Sequence, residues 1–334
     1  MLRFVLRRLA LMVPVLVGLS ILLFAWVRAL PGDPARSLLG EKATPDSIDR
    51  INAKYGFERP LLEQYLTYVK ALLQGDLGNS IQTGEPVLQS FLDKFPATVE
   101  LASVALLFAI VVGIPLGYLA AKHQGGIIDT FVVSGSLLGV VTPVFFLAVL
   151  LKLVFAEWLG WFPPALRSDA RLDSTHITNF YIFDGILTRE YDAAWDAFMH
   201  LVLPAIALGT IPLAIIVRIT RASVAEVMHE DYVRTAEAKG LSAMTISRRH
   251  VLRNALMPVV TTIGLQAGLL FSGAVLTESV FSFNGIGQYL FTAISKLDFP
   301  VLQGFILIIA IMYSLINLLV DLAYGLIDPR VRAQ

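Results

Sequence analysis

The chain has 334 residues, 56% of them hydrophobic and only 16% charged, with zero net charge and a mean hydropathy of +0.70. A soluble domain covers itself with roughly 25% charged residues, and the shortfall here is gathered into long charge-free runs, so the composition points to a membrane protein and away from nucleic acid. The absence of cysteine excludes disulfides, iron–sulfur clusters and thiolate metal sites. No two of the five histidines (His123, His176, His200, His229, His250) stand four apart as a helical zinc site requires.

A helix needs about 20 apolar residues to cross a roughly 30 Å hydrocarbon core. Six runs lack Asp, Glu, Lys and Arg for about that length: 9–27, 101–121, 130–151, 197–217, 254–277 and 299–320. The first follows Arg3, Arg7 and Arg8, as a secretory signal would. A signal's apolar core, however, is about 7–15 residues long and ends in small residues. This run ends in Trp26, Val27 and Arg28, so residues 1–30 are expected to form a tail and a retained first transmembrane helix.

Residues 31–96 should form an extracytoplasmic helical segment. Thr44-Pro45-Asp46 reads as a helix start. Leu61, Tyr65, Leu66, Val69, Leu72 and Leu73 repeat at helical spacing, with Gly75 placed as a cap. Pro86 is expected to open a third short helix ending before Pro96.

Residues 97–334 then form a five-helix core. Its glycines recur four apart (Gly113 and Gly117, Gly135 and Gly139, Gly264 and Gly268), a spacing that lets helix backbones approach closely. Pro14, Pro115, Pro143, Pro204, Pro212 and Pro258 fall in or beside spans, where neighbours must satisfy the freed backbone groups. The external loop 158–196 carries six acids together with Trp158, Trp161, Phe180, Tyr181, Phe183 and Tyr191. These aromatics suit the membrane interface or the docking of an external protein.

Lysine and arginine set the orientation. With the N-terminus inside, segments 1–8, 122–129, 218–253 and 321–334 carry 13 Lys/Arg. The longer outside segments 31–96, 158–196 and 282–298 carry 11, against 16 acids. Both termini are therefore expected on the cytoplasmic side.

The cytoplasmic loop 218–256 is the informative stretch. From residue 221 it reads RASVAEVMHEDYVRTAEAKGLSAMTISRRHVLRNALMP, too polar to span yet helical in period. Ala225, Met228, Tyr232 and Ala236 should line one face of a helix ending at Gly240, with Lys239 at its negative end. Met244, Val251, Leu252 and Ala255 suggest a second helix leading into the fifth span. The mixed charge disfavours a lipid-surface helix and leaves packing under the bundle or fitting a partner's groove.

The run Thr235-Ala236-Glu237-Ala238-Lys239-Gly240, followed by Asn254-Ala255-Leu256-Met257-Pro258, resembles the EAA loop of binding-protein-dependent ABC importer permeases. Gly240 matches the family's glycine, and Leu256 and Pro258 its closing Leu-x-Pro; Thr235, Ala236 and Glu237 stand in place of its Glu-Ala-Ala. DLGNSI at 76–81, LTESVFSFNGIG at 276–287 and the closing LVDLAYGLIDPRVR extend the resemblance to the B-type permease of dipeptide/oligopeptide importers, a type shared by nickel and glutathione importers. YIFDGIL at 181–187 looks closest to the dipeptide members.

The resemblance implies a type I ABC importer bundle of six transmembrane helices in a bacterial inner membrane. Tyr232, Thr235, Ala236, Glu237, Ala238, Lys239, Gly240 and Leu241 would couple it to the ATPase. It also implies a second homologous permease, two ATP-binding subunits holding ATP and magnesium, an extracytoplasmic solute-binding protein and surrounding lipid, with no cofactor in this chain. No G-x-x-x-x-G-K-[ST] phosphate loop occurs, so this chain is expected to be no ATPase and to rely on partners for hydrolysis.

Gln266 and Glu278 are the polar groups considered for a translocation path, against default roles in interhelical bonding. Lys152, Glu157 and Arg28 stand at span ends, where long side chains reach headgroups. A nickel importer would want imidazole or carboxylate near the path, where the spans offer only His200. An ion-coupled secondary transporter would want intramembrane acids, and a membrane enzyme a nucleophile with its base. The six runs supply neither.

Overall fold

A computed structural model describes residues 2–29, 44–55, 59–172 and 174–327. Expectations for residues 30–43, for Asp173 and for the 328–334 tail lie outside the described residues. Among those described, every regular element is helical. In chain order these are α1 Leu2–Ala29, α2 Pro45–Tyr55, α3 Leu61–Leu73, α4 Val87–Lys122, α5 Ile127–Val141 and α6 Val144–Leu151, which continues as a π-helix Lys152–Trp158. Then come α7 Tyr181–Leu187, α8 Tyr191–Met228, α9 Asp231–Ala238, a single turn Ala243–Thr245 with a second π-helix Ile246–Leu252, α10 Arg253–Gly273, α11 Val275–Val280, α12 Ile286–Ser295 and α13 Phe299–Ile327.

All six charge-free runs lie on helices. α4, α8 and α13 are each long and apolar enough to cross a membrane. The third run is broken at Thr142–Pro143, where α5 and α6 bend by 104°. Proline cannot continue the preceding helix and starts the next at its N-cap. The fifth run breaks at Ala274, between α10 and α11.

Pro96 does not end a short helix as expected: α4 runs through it and through Pro115 for 36 residues. At 1.5 Å per residue α4 extends about 54 Å, and α8, with 38 residues, about 57 Å. Both exceed the hydrocarbon thickness and carry structure beyond it.

The chain divides into two compact units: Met1–Phe95 with Gln288–Leu319 and Gly325–Gln334, and Pro96–Gly287 with Val320–Tyr324. Within the first, Phe24 of α1 meets Tyr65 and Tyr68 of α3, and Ser20 shares a 3.0 Å bond with the Tyr65 hydroxyl. The DLGNSI turn is held by Asp298, which is 3% exposed. Asp298 accepts from the Ser80 hydroxyl at 2.6 Å and from the Ile81 amide at 3.1 Å.

In the second unit α8 is the central helix, with seventeen of its residues buried. A Cβ on Gly117 of α4 would fall 2.6 Å from the Thr220 Cβ and 2.7 Å from the Val217 carbonyl, and one on Gly209 would fall 2.7 Å from the Ala105 carbonyl. The two long helices thus touch backbone to backbone, as their small-residue spacing predicts. Asp129, at the start of α5, accepts both forks of Arg221 on α8 at 2.5 and 2.7 Å. That bidentate geometry is the strong form of a charge-assisted bond.

Candidate functional site

The elbow begins where α8 stops at Met228. Glu230 takes an extended conformation (φ −69°, ψ 144°), and α9 starts afresh with Asp231 in its first turn, a favourable place for a negative charge. This break corrects the expected face. Ala225 and Met228 are partly buried and Ala236 is buried, but Tyr232 turns outward with 40% of its surface exposed. Val233 fills the inward position. Val233 and Ala236 pack with Ala121, Val224, Ile246, Val251 and Ala255 in one apolar cluster.

The other side of α9 and its C-terminal turn is open: Tyr232, Thr235, Glu237, Ala238, Lys239, Gly240 and Leu241 are all exposed. Gly240 sits at φ +72°, with its amide 2.9 Å from the Glu237 carbonyl and the Leu241 amide 3.3 Å from the Ala236 carbonyl. This is the left-handed turn that ends a helix, and glycine occupies it without a Cβ penalty. Ser242 then caps the turn Ala243–Thr245. Met244, expected on the buried face, is 62% exposed; Val251 and Ala255 are buried, with Leu252 half-buried.

The π-helix Ile246–Leu252 leads straight into α10. Ser247 on it bonds the Tyr118 hydroxyl of α4. Asn254 on α10 donates to the Tyr232 hydroxyl at 2.9 Å and to the His250 carbonyl at 3.0 Å.

The opposite end of this unit holds the other polar candidates. Glu278 on α11 has no exposed surface, and its carboxylate accepts from the Thr98 hydroxyl at 2.6 Å; that hydroxyl in turn accepts from the Ile286 amide at 3.0 Å. The geometry ties α11 and the following turn to α4. Gln266 is buried within α10 at 7% exposure. Lys152 points its ammonium at the Val280 carbonyl, 3.4 Å away, rather than outward. His200 shares its Nδ1 with the Asp196 carbonyl at 2.8 Å. Among the described residues no three His, Asp or Glu gather as a metal site.

Sequence reasoning missed the ion pair of Arg167 and Glu100, both 8% exposed and 2.7 Å apart. The available signal was a lone charge at the edge of a charge-free run. In the same external loop, Thr175 donates its amide and hydroxyl to Glu190, holding that carboxyl below the usual range.

Residues 113–333 match the family "Binding-protein-dependent transport system inner membrane component", and residues 1–102 match its N-terminal companion family. The chain belongs to this permease family. The permease is 46% identical over its whole length to the di/tripeptide transport system permease protein DppB of Pseudomonas aeruginosa, all of which is covered. It is 44% identical to the dipeptide transport system permease protein DppB of Escherichia coli K12, with 99% of each chain covered, and 43% to that of Alkalihalophilus pseudofirmus, with 99% and 100% covered.

A solved structure of the MetNI methionine ABC transporter, in inward-facing conformations, matches with a TM-score of 0.51 at 18% identity, covering 74% of the permease and 97% of that chain. That likeness is one of fold. Membership makes the permease a multi-pass inner-membrane protein that works with an ATPase and a substrate-binding protein.

Proposed function

We propose that the permease is one pore-forming subunit of an ATP-driven importer of dipeptides and short oligopeptides, with the elbow at 231–247 receiving the motion of an ATP-hydrolysing partner. The partners are a second homologous permease, two ATP-binding subunits that carry ATP and magnesium, and an external solute-binding protein. Hydrolysis belongs to those subunits, and both termini face the cytoplasm. The peptide substrate rests on the relatives, three of which carry dipeptide or di/tripeptide transport in their names across full-length similarity.

The coupling role rests on one observation. α9 buries Val233 and Ala236 against its own bundle while presenting Tyr232, Thr235, Glu237, Ala238, Lys239 and Leu241 outward. A short helix packed on one side and bare on the other is built to sit in a partner's groove. Its only covalent route onward leads through Gly240 and the π-helix into α10, so a push on α9 is delivered to a spanning helix.

The test is ATP-dependent uptake of a labelled dipeptide by the assembled importer carrying Gly240→Pro. Proline holds φ near −65° and cannot adopt the +72° found here. Uptake is expected to fall about ten-fold or more while the subunits still co-purify, a loss within the range of allosteric coupling energies. Uptake at the normal rate in that variant would exclude the elbow as the coupling element. Failure of the unmodified importer to take up any short peptide would exclude the substrate class.

A further inference from the structure

Asn254 stands on the first turn of α10 and spends both hydrogens of its amide on other elements. One goes to the His250 carbonyl inside the π-helix, at 3.0 Å, and the other to the Tyr232 hydroxyl on α9, at 2.9 Å. The His250 carbonyl can only accept, which fixes the orientation of the amide and leaves the Tyr232 hydroxyl as the second acceptor. Three elements therefore meet at one side chain: the exposed helix α9, the π-helix and the spanning helix α10.

The π-helix makes this junction consequential. A π segment carries nearly one extra residue per turn, and such segments are frequent at functional sites. Its near end is anchored by the bond between Ser247 and Tyr118 of α4, and its buried side by Ile246 and Val251. Its far end is the carbonyl that Asn254 grips. Apart from apolar contact, the alternative link between α9 and α10 is the backbone stretch 239–252, where Leu241, Met244, Arg248 and Arg249 are exposed.

Water reaches the bond in the isolated chain, since Asn254 is exposed and Tyr232 is 40% exposed. A crevice of about 350 Å³ opens beside it, lined by Ser223, Glu226, Glu230, Tyr232, Asn254 and Met257. Docking of a partner onto α9 expels that water, and a hydrogen bond strengthens when solvent no longer competes for it.

We propose that Asn254 is the positioning residue of the coupling step: it latches Tyr232 to the end of the π-helix and sets the register in which motion of α9 reaches α10. The proposal rests on the docking reading above. The latch touches neither nucleotide nor substrate; it governs how much transport each hydrolysis yields.

The test uses the complete importer in proteoliposomes, reading ATP hydrolysed per dipeptide imported alongside melting of the purified assembly. Tyr232→Phe removes the hydroxyl and Asn254→Leu the whole amide at nearly constant volume, so the first breaks one bond of the latch and the second breaks both. Each is expected to raise ATP consumed per dipeptide about five-fold with melting unchanged, the low end of measured coupling between sites. The double variant should be no worse than Asn254→Leu alone, since loss of the amide already breaks the bond to Tyr232.

A ratio at the normal value in both variants would overturn the latch. So would multiplying effects in the double variant, or a parallel fall of import, hydrolysis and melting. The chain has no cysteine, so a single Ala243→Cys reports docking independently through cross-linking to the ATP-binding subunit. A cross-link with an unchanged ratio rejects the latch and keeps the docking. No cross-link in an otherwise unaltered importer rejects the docking and the latch with it.

Discussion

Arg167→Ala is expected to destabilise the permease by about 3–5 kcal/mol, the cost of stripping a buried charge of its partner. Arg167 and Glu100 are each only 8% exposed, so the carboxylate left behind could not be rescued by water. It would keep only the Ile182 amide, at 3.0 Å. The guanidinium also lies 3.7 Å from the centre of the Tyr181 ring and donates to the Asn179 carbonyl at 2.8 Å. Asn179 and Leu166 hold positive φ values of 63° and 73°, conformations that persist only where surrounding contacts impose them. Losing Arg167 thus frees the external loop as well as exposing a bare charge. Thermal unfolding in detergent should show the single variant melting well below the unmodified protein. Arg167→Ala combined with Glu100→Ala should recover part of the loss, because no unpaired charge remains. A single variant that melts normally would mean the pair carries no stability.

Charge-free runs are enough to find the spanning helices, because placing a charge in hydrocarbon is so costly that a spanning segment must do without one for about 20 residues, a length soluble helices rarely reach uncharged. Direction along those runs is not legible. The run 130–151 is uniformly apolar, yet its chain turns by 104° at Thr142–Pro143, and hydropathy records burial rather than heading. Pro143 breaks a helix while Pro96 and Pro115 ride inside one. A proline is tolerated inside a span where neighbouring groups take up the freed carbonyl, a tertiary condition that no local pattern encodes. The elbow is legible in place but not in detail. Helical period in the sequence carries through His229–Glu230, where the helix in fact stops, and one residue of slip exchanges Tyr232 for Val233 on the buried face. Asn254 lies 22 residues from Tyr232 and Arg167 67 from Glu100; pairs at such separations belong to the fold.

Gly287→Ala is the second change expected to be severe, and the reason is backbone rather than side chain. A Cβ at residue 287 would lie 2.5 Å from the Val275 Cα and 2.8 Å from its nitrogen, with the Glu278 carboxylate at 3.2 Å. Val275 opens α11, whose Glu278 has no exposed surface and is tied to Thr98 of α4, so the obstacle cannot swing aside as a flexible side chain would. Relief requires the 275–287 turn to open, and that turn carries Phe281 and Phe283, each 1% exposed. Overpacking commonly costs about 1–3 kcal/mol, and exposing either ring adds up to about 1.5–3 kcal/mol when exposure is complete. The variant should therefore fail to accumulate as a folded, monodisperse protein, or melt far below the unmodified one. Gly135→Ala supplies the comparison, because nothing stands within 4 Å of its added Cβ. Alanine in that helix should be neutral or slightly stabilising. Equal stability of the two variants would show that the glycines of the 276–287 motif are not there for close packing, and that Glu278 is held by some other means than the turn folded around it.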